Sequence, residues 1–168
     1  MSLPRGVRPE VPGPGQESVW DYPRPPRVEP SISLVEVVLG GETVASTRKA
    51  LRVLETSHPL VYYLPRNAFV AGALRPAPGK SYCEFKGTAT YVDVVARDVI
   101  ATRSGWTYPQ PSAGFERLRD HVAIYPAAMD RCSVDGEIVR PQEGGFYGGW
   151  ITEAVVGPFK GAPGSSGW

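Results

Sequence analysis

Thr88-Ala89-Thr90-Tyr91-Val92-Asp93-Val94-Val95-Ala96-Arg97-Asp98-Val99-Ile100-Ala101-Thr102 reads as a strand, a corner and a second strand. On a pleated chain, Tyr91, Asp93 and Val95 face one side, and Val92, Val94 and Ala96 face the other. β-branched and aromatic residues suit that half-buried surface better than a helix does. Arg97-Asp98 has the length of a hairpin turn, without the usual glycine. Ser81 to Phe85 reads as the strand before it. Strands that follow one another through tight corners pair antiparallel, so this stretch sets the fold class as mainly β.

The same logic extends outward. Val35, Val37 and Leu39 end at Gly40-Gly41, and Glu42 to Ala45 returns as the partner strand. Val61 to Leu64 is a short strand stopped by Pro65, and a loop rich in proline and glycine runs from there to about Lys80. Asp135-Gly136 marks a hairpin within Ser133 to Val139. Two segments carry helical spacing. In Thr47 to Glu55, Ala50, Leu51 and Leu54 share a helical face, Ser46 or Thr47 offers a cap, and Pro59 follows as a stop. Phe115, Leu118 and Val122 recur at three and four. The expectation is an assembly of antiparallel β-sheets with two short helices at its edge.

At 168 residues the chain is long enough for one domain with a real core. Residues 1–17, with Val11-Pro12-Gly13-Pro14-Gly15, read as a flexible arm, and residues 18–168 as a single β-rich domain. Ser18 to Tyr22, followed by Pro23-Arg24-Pro25-Pro26-Arg27, reads as an extended strap over the core. The net charge of +1 and the absence of any long like-charged run argue against nucleic acid or an anionic membrane as partner. Two cysteines and a start without an apolar run lead to the expectation of a cytoplasmic protein with reduced thiols.

Five segments stop looking generic when taken together: Ser18-Val19-Trp20-Asp21-Tyr22-Pro23-Arg24-Pro25-Pro26, Ala50 to Pro59, Cys83-Glu84-Phe85-Lys86-Gly87, Trp106-Thr107-Tyr108-Pro109 and Phe146-Tyr147-Gly148-Gly149-Trp150. In these the chain resembles the bacterial family known as domain of unknown function 427, which has carried a nucleotidyltransferase-like label. The resemblance is to its long form with the FYGGW extension, and runs from about Ser18 to Trp168. It implies a compact β fold of the β-tent or Mss-four type and no settled activity. Asn67-Ala68 stand where the family usually has an acid, and Val92 where a second aromatic is common.

Several chemistries lack their residues. Nucleotidyl transfer needs paired carboxylates on a strand beside a phosphate-binding turn, and Asp135 and Glu137 instead flank a hairpin tip. Gly79-Lys80-Ser81 ends like a phosphate loop, but the first glycine position holds Leu74. Cys83, Cys132, His58 and His121 have the count of a zinc site without its spacing, so no metal and no cofactor is expected. Cys83 has Glu84 beside it, an unfavourable neighbour for a thiolate, and Lys86 three residues on, a favourable one.

The remaining candidate is a polar and aromatic constellation: Arg48, Arg52, Glu55, Tyr62, Tyr63, Lys86, Tyr91, Trp106 and Tyr125. On a helix, Arg48 and Arg52 would present two guanidinium groups on one face. Together with Lys86 they would anchor a carboxylate or phosphate, and the rings would stack a flat ligand. The competing reading makes Arg52 and Glu55 a surface ion pair and the tyrosines core residues. Two functions stay open: a site for a small anionic or planar molecule, or a non-catalytic module that self-associates or meets a protein partner through its glycine and aromatic surfaces. The first, as drawn, requires Arg52 and Lys86 to share one cavity.

Overall fold

The computed structural model describes residues 2–168. In chain order the strands are β1 (Glu17–Ser18), β2 (Arg27–Pro30), β3 (Val35–Leu39), β4 (Glu42–Thr47), β5 (Leu51–Leu54), β6 (Val61–Pro65), β7 (Leu74–Cys83) and β8 (Gly87–Ala96). There follow β9 (Val99–Thr107), β10 (His121–Ile124), β11 (Arg131–Val134), β12 (Glu137–Ile138), β13 (Arg140–Pro141), β14 (Trp150–Ile151) and β15 (Val155–Val156). A seven-stranded antiparallel sheet has the order β2-β5-β6-β10-β9-β8-β7, and a four-stranded antiparallel sheet the order β12-β11-β3-β4. The hairpins expected at Gly40-Gly41, Arg97-Asp98 and Asp135-Gly136 all form.

The two expected helices are absent. The helical content among the described residues is four 3₁₀ turns of three residues, at Val19–Asp21, Arg66–Ala68, Glu116–Leu118 and Pro126–Ala128. Thr47 instead ends β4, and Leu51–Leu54 is a strand of the large sheet, paired on both sides by β2 and β6. The cause is burial on both faces. Ala50 and Leu54 enter one apolar cluster with Val35, Val37, Val44 and Trp150; Leu51 and Val53 enter another with Tyr63, Trp106 and Leu118. A strand covered on both sides shows nearly continuous apolar residues, which spacing alone cannot tell from a helix face. At the second site, Leu118 closes a single turn, Asp120 adopts a positive φ of 60°, and His121–Ile124 continues as a strand.

The loop expected up to Lys80 is also largely strand. β7 begins at Leu74, and its pairing with β8 slips between Ala77 and Lys80, around Pro78-Gly79. The bulge lets a proline-bearing strand remain at the sheet edge.

The two clusters divide the molecule. The first, between the sheets, is buried and apolar around Trp150, Leu60, Leu64 and Ile124. The second lies on the other face of the large sheet and is rich in Tyr and Trp. The amino-terminal residues read as an arm make contacts: Glu10 N–H donates to Gly157 O at 2.8 Å, and β1 pairs in parallel with β15. Met1 lies outside the described residues. No helix among them is long and apolar enough to cross a membrane.

Candidate functional site

The aromatic face of the large sheet holds a cavity of about 510 Å³, within the range of small-molecule sites. Strand parity selects its floor. Val53 and Glu55 project to this side of β5, whereas Arg52 and Leu54 project to the other. On β6, Tyr63 lines the cavity, while its neighbour Tyr62 turns away and lies 5.2 Å from the Trp150 ring. The β7–β8 hairpin supplies Cys83, Lys86 and Tyr91, β9 supplies Trp106, and Tyr108 and Tyr125 stand just beyond strand ends.

Six of the nine candidate residues are thereby brought together: Glu55, Tyr63, Lys86, Tyr91, Trp106 and Tyr125. Three are not. Arg48 follows β4 and donates its Nη1 to Ile32 O at 3.4 Å. Tyr62 is core. Arg52 lies opposite Glu29 in the β2–β5 ladder, and its Nη1 donates to Glu17 Oε1 at 2.8 Å and its Nη2 to Glu17 Oε2 at 3.2 Å. The anchor drawn from Arg48, Arg52 and Lys86 therefore does not exist. Nor do Arg52 and Glu55 form the exposed pair of the competing reading, because they leave the strand on opposite faces. Without a helix, the four-residue spacing of the arginines has no geometric meaning.

A second charge cluster replaces the expected one. Glu55 is its centre. Arg24 Nη2 lies 3.6 Å from Glu55 Oε2, His58 Nδ1 lies 3.7 Å from the same oxygen, and Lys86 Nζ lies 4.0 Å from Glu55 Oε1. These separations are too long for good hydrogen bonds. Glu55 and His58 are set by a tight turn in which His58 N–H donates to Glu55 O at 3.0 Å and Ser57 adopts φ 72°. That conformation normally calls for glycine, and serine holds it at a cost of about 1 kcal/mol. Ser57 Oγ is also the one buried side-chain oxygen or nitrogen without a partner among the described residues.

His58 is 7 % exposed and shares a hydrogen bond with Thr56 O at 3.0 Å through Nδ1. A carbonyl only accepts, so Nδ1 carries the proton. Burial lowers the imidazole pKa below its ordinary value, with Glu55 pulling it partly back. The ring is neutral at pH 7, and Nε2 keeps its lone pair. Burial also pushes Tyr63 and Tyr108 well above the usual phenol range, so both keep their hydroxyl protons. Trp106 Nε1 donates to Tyr63 Oη at 3.2 Å, and the Trp106 and Tyr125 rings stand 4.6 Å apart. Cys132 lies in the apolar core between the sheets, where burial lifts its thiol to about 12, while Cys83 reaches the cavity.

The carboxy-terminal glycine and aromatic run forms the remaining wall. Trp150 N–H donates to Leu60 O at 2.7 Å and its indole to Ile124 O at 3.0 Å, which anchors the segment in the core between the sheets. Gly148 then passes across Trp106, where a Cβ would stand 2.5 Å from Cη2, so only glycine fits. Tyr147 meets His58 edge-on at 4.9 Å, and Lys160 N–H donates to Ser57 O at 2.8 Å. Lys160, Gln142, Tyr147 and Trp168 line the cavity, as do Arg24 and His58; none was among the candidates. For Gln142, Tyr147, Lys160 and Trp168 the signal was the density of rings and glycines in the last third, which has no fixed spacing to the strands it covers.

Residues 27–135 match the sequence profile of a family described as a domain of unknown function, DUF427. The chain belongs to the DUF427 family. No curated protein matches it. The DUF427 region supplies Glu55, His58, Lys86 and the Tyr and Trp floor, whereas Arg24, Lys160, Tyr147 and Trp168 come from outside the matched residues. Asp135 and Glu137 serve structure: Asp135 Oδ1 accepts from Leu34 N–H at 2.8 Å, and Glu137 Oε2 from Glu153 N–H at 2.7 Å.

Proposed function

We propose that this DUF427 chain binds a small molecule with a flat ring and an anionic group in the cavity over the aromatic face. The observation that carries this is Lys86. The residue is 9 % exposed, its Nζ stands 4.0 Å from the nearest carboxylate oxygen, and it lines an aromatic cavity. A nearly buried charge is costly unless paired and hydrogen-bonded. Around it Arg24, Lys86 and Lys160 give three positive charges against two from Glu55 and Glu84, with His58 neutral. Lys160 Nζ donates to Trp168 O at 3.0 Å and Arg24 Nη2 to Thr56 O at 2.8 Å, which makes Lys86 the cation of this set without a hydrogen-bond acceptor among the described residues. Rings from Tyr63, Trp106, Tyr108 and Tyr125 suit the face of a planar molecule. The retained phenol protons and the Nε2 lone pair add donors and an acceptor at its edge.

The test is a thermal-shift series with flat aromatic carboxylates, 2-naphthoate first. A ligand that binds only the folded chain must raise the melting temperature. The wild type is expected to shift, Arg52→Met to shift equally from a lower baseline, and Lys86→Met to lose the shift. Equal shifts in Lys86→Met and wild type would refute the assignment of the anion to Lys86.

A further inference from the structure

A second recess adjoins the cavity. Tyr91, Tyr125 and Phe146 line the main cavity, and the same three residues line a more open recess that also holds Arg103. The Arg103 guanidinium lies over the Tyr91 ring, 4.4 Å from its centroid. Three irregularities of the sheet put it there. Arg103 adopts φ 48°, rare for any residue but glycine. Its N–H donates to Asp93 Oδ1 at 2.8 Å, where the β8–β9 ladder shifts between Val92 and Val94. On the opposite side of Tyr91's strand, the β7 bulge places Gly79 against the guanidinium, and a Cβ there would stand 3.1 Å from Nη2. Bulges in both ladders of one strand, a strained arginine and a glycine that clears its path converge on one side chain. No carboxylate among the described residues lies within ion-pair distance of Arg103.

A guanidinium stacked on a ring keeps its in-plane N–H donors free, and that fork matches the oxygens of a carboxylate, sulfonate or phosphate. We propose that Arg103 is a second anion subsite and that the ligand is an elongated aromatic dianion. One charged end sits at Lys86, the ring lies in the main cavity, and the other end reaches Arg103 past Tyr91, Tyr125 and Phe146. This rests on the small-molecule reading of the main cavity and extends it.

Two fluorescent probes separate the claims on the full chain: anilinonaphthalene sulfonate, with one sulfonate, and its covalent dimer, with two. The dimer's extra ring area adds affinity by itself, so the readout is what Arg103→Met does to each probe. Dimer affinity is expected to fall about tenfold, the usual size of a lost charge-assisted contact, and affinity for the single-sulfonate probe to change less than about twofold. Arg103→Lys is expected to fall between wild type and Arg103→Met for the dimer. Lys86→Met is expected to weaken both probes. If Arg103→Met leaves the dimer's affinity unchanged while the single-sulfonate probe still binds, the second subsite is wrong and the cavity reading survives. If neither probe binds the wild type, both fall. Arg103 is exposed, so its variants are expected to fold, and their melting curves verify it.

Discussion

Arg52 and Lys86 belong to charge clusters on opposite faces of one sheet, and the clusters differ in how far they close. Around Arg52, two carboxylates take the guanidinium through direct hydrogen bonds, and Tyr22 adds its hydroxyl to Glu17 at 3.1 Å. Every strong donor there has an acceptor. Around Glu55, three basic groups stand at 3.6, 3.7 and 4.0 Å from one carboxylate, beside empty volume. The first arrangement ties β2 and the amino-terminal strand to β5. In the second, Arg24 Nη2 and His58 Nδ1 donate to Thr56 O, and Lys86 has no hydrogen-bond acceptor among the described residues. Closure of a cluster, and not the presence of basic residues, separates a structural ion pair from a candidate site.

Mutations at the two clusters should therefore fail differently. Arg52→Met leaves Glu17 and Glu29 facing each other. Arg52 is 23 % exposed at its side chain, between the surface and buried regimes, so a loss of about 2 kcal/mol is expected. It should appear in urea denaturation and as a fall in melting temperature of roughly 4–8 °C, with 2-naphthoate binding intact. A stability change below about 0.5 kcal/mol would put Arg52 in the surface class.

Next in size is Lys86→Met, read in affinity. Binding of 2-naphthoate is expected to weaken about tenfold or more, while stability holds or rises because a poorly paired ammonium has gone. Calorimetry and thermal melts on the same sample check both halves. A large loss of stability would make Lys86 another Arg52.

Ser57→Gly sharpens the contrast from the backbone. It relieves φ 72° and removes an unpartnered buried hydroxyl, at the expense of a looser unfolded chain. A net gain of about 0.5 kcal/mol is expected, read by denaturation, together with weaker ligand binding as the Glu55–His58 turn loosens.

The smallest effect is a slope. His58 titrates lower in the folded chain than its ordinary 6.5, so the unfolded chain takes up the proton first as pH falls. Stability is full above pH 6.5 and declines as pH drops from there through the folded value. His58→Gln should flatten this part of the stability profile. Lys160 and Arg24 oppose protonation of the ring and Glu55 favours it, so Glu55→Gln should steepen the same decline.

Much of the fold was legible in the chain. The pleat around Tyr91–Ala96, the turns at Gly40-Gly41 and Asp135-Gly136, and the early stop at Pro65 are local signals, and local signals survive folding. The segment Ala50-Leu51-Arg52-Val53-Leu54 was not legible, because apolar residues on both sides of a covered strand carry the same spacing as one face of a helix. That single ambiguity misplaced Arg48 and Arg52 and hid the true partner of Lys86, which is Glu55 on the other parity of β5. Tyr62 and Tyr63 show the same limit: adjacent, chemically alike, and sent to opposite faces.

The amino-acid sequence by itself determined an antiparallel β protein of the DUF427 family and marked the aromatic and basic residues from which a site is built, since residue type, alternation and turn chemistry act over a few positions. Tertiary structure decided which face each strand presents, brought the last third of the chain across Trp106 and His58, and left the Glu55 cluster open while closing the Arg52 cluster. Those outcomes depend on which sheet covers which face, a matter of long-range packing that no short run of residues encodes.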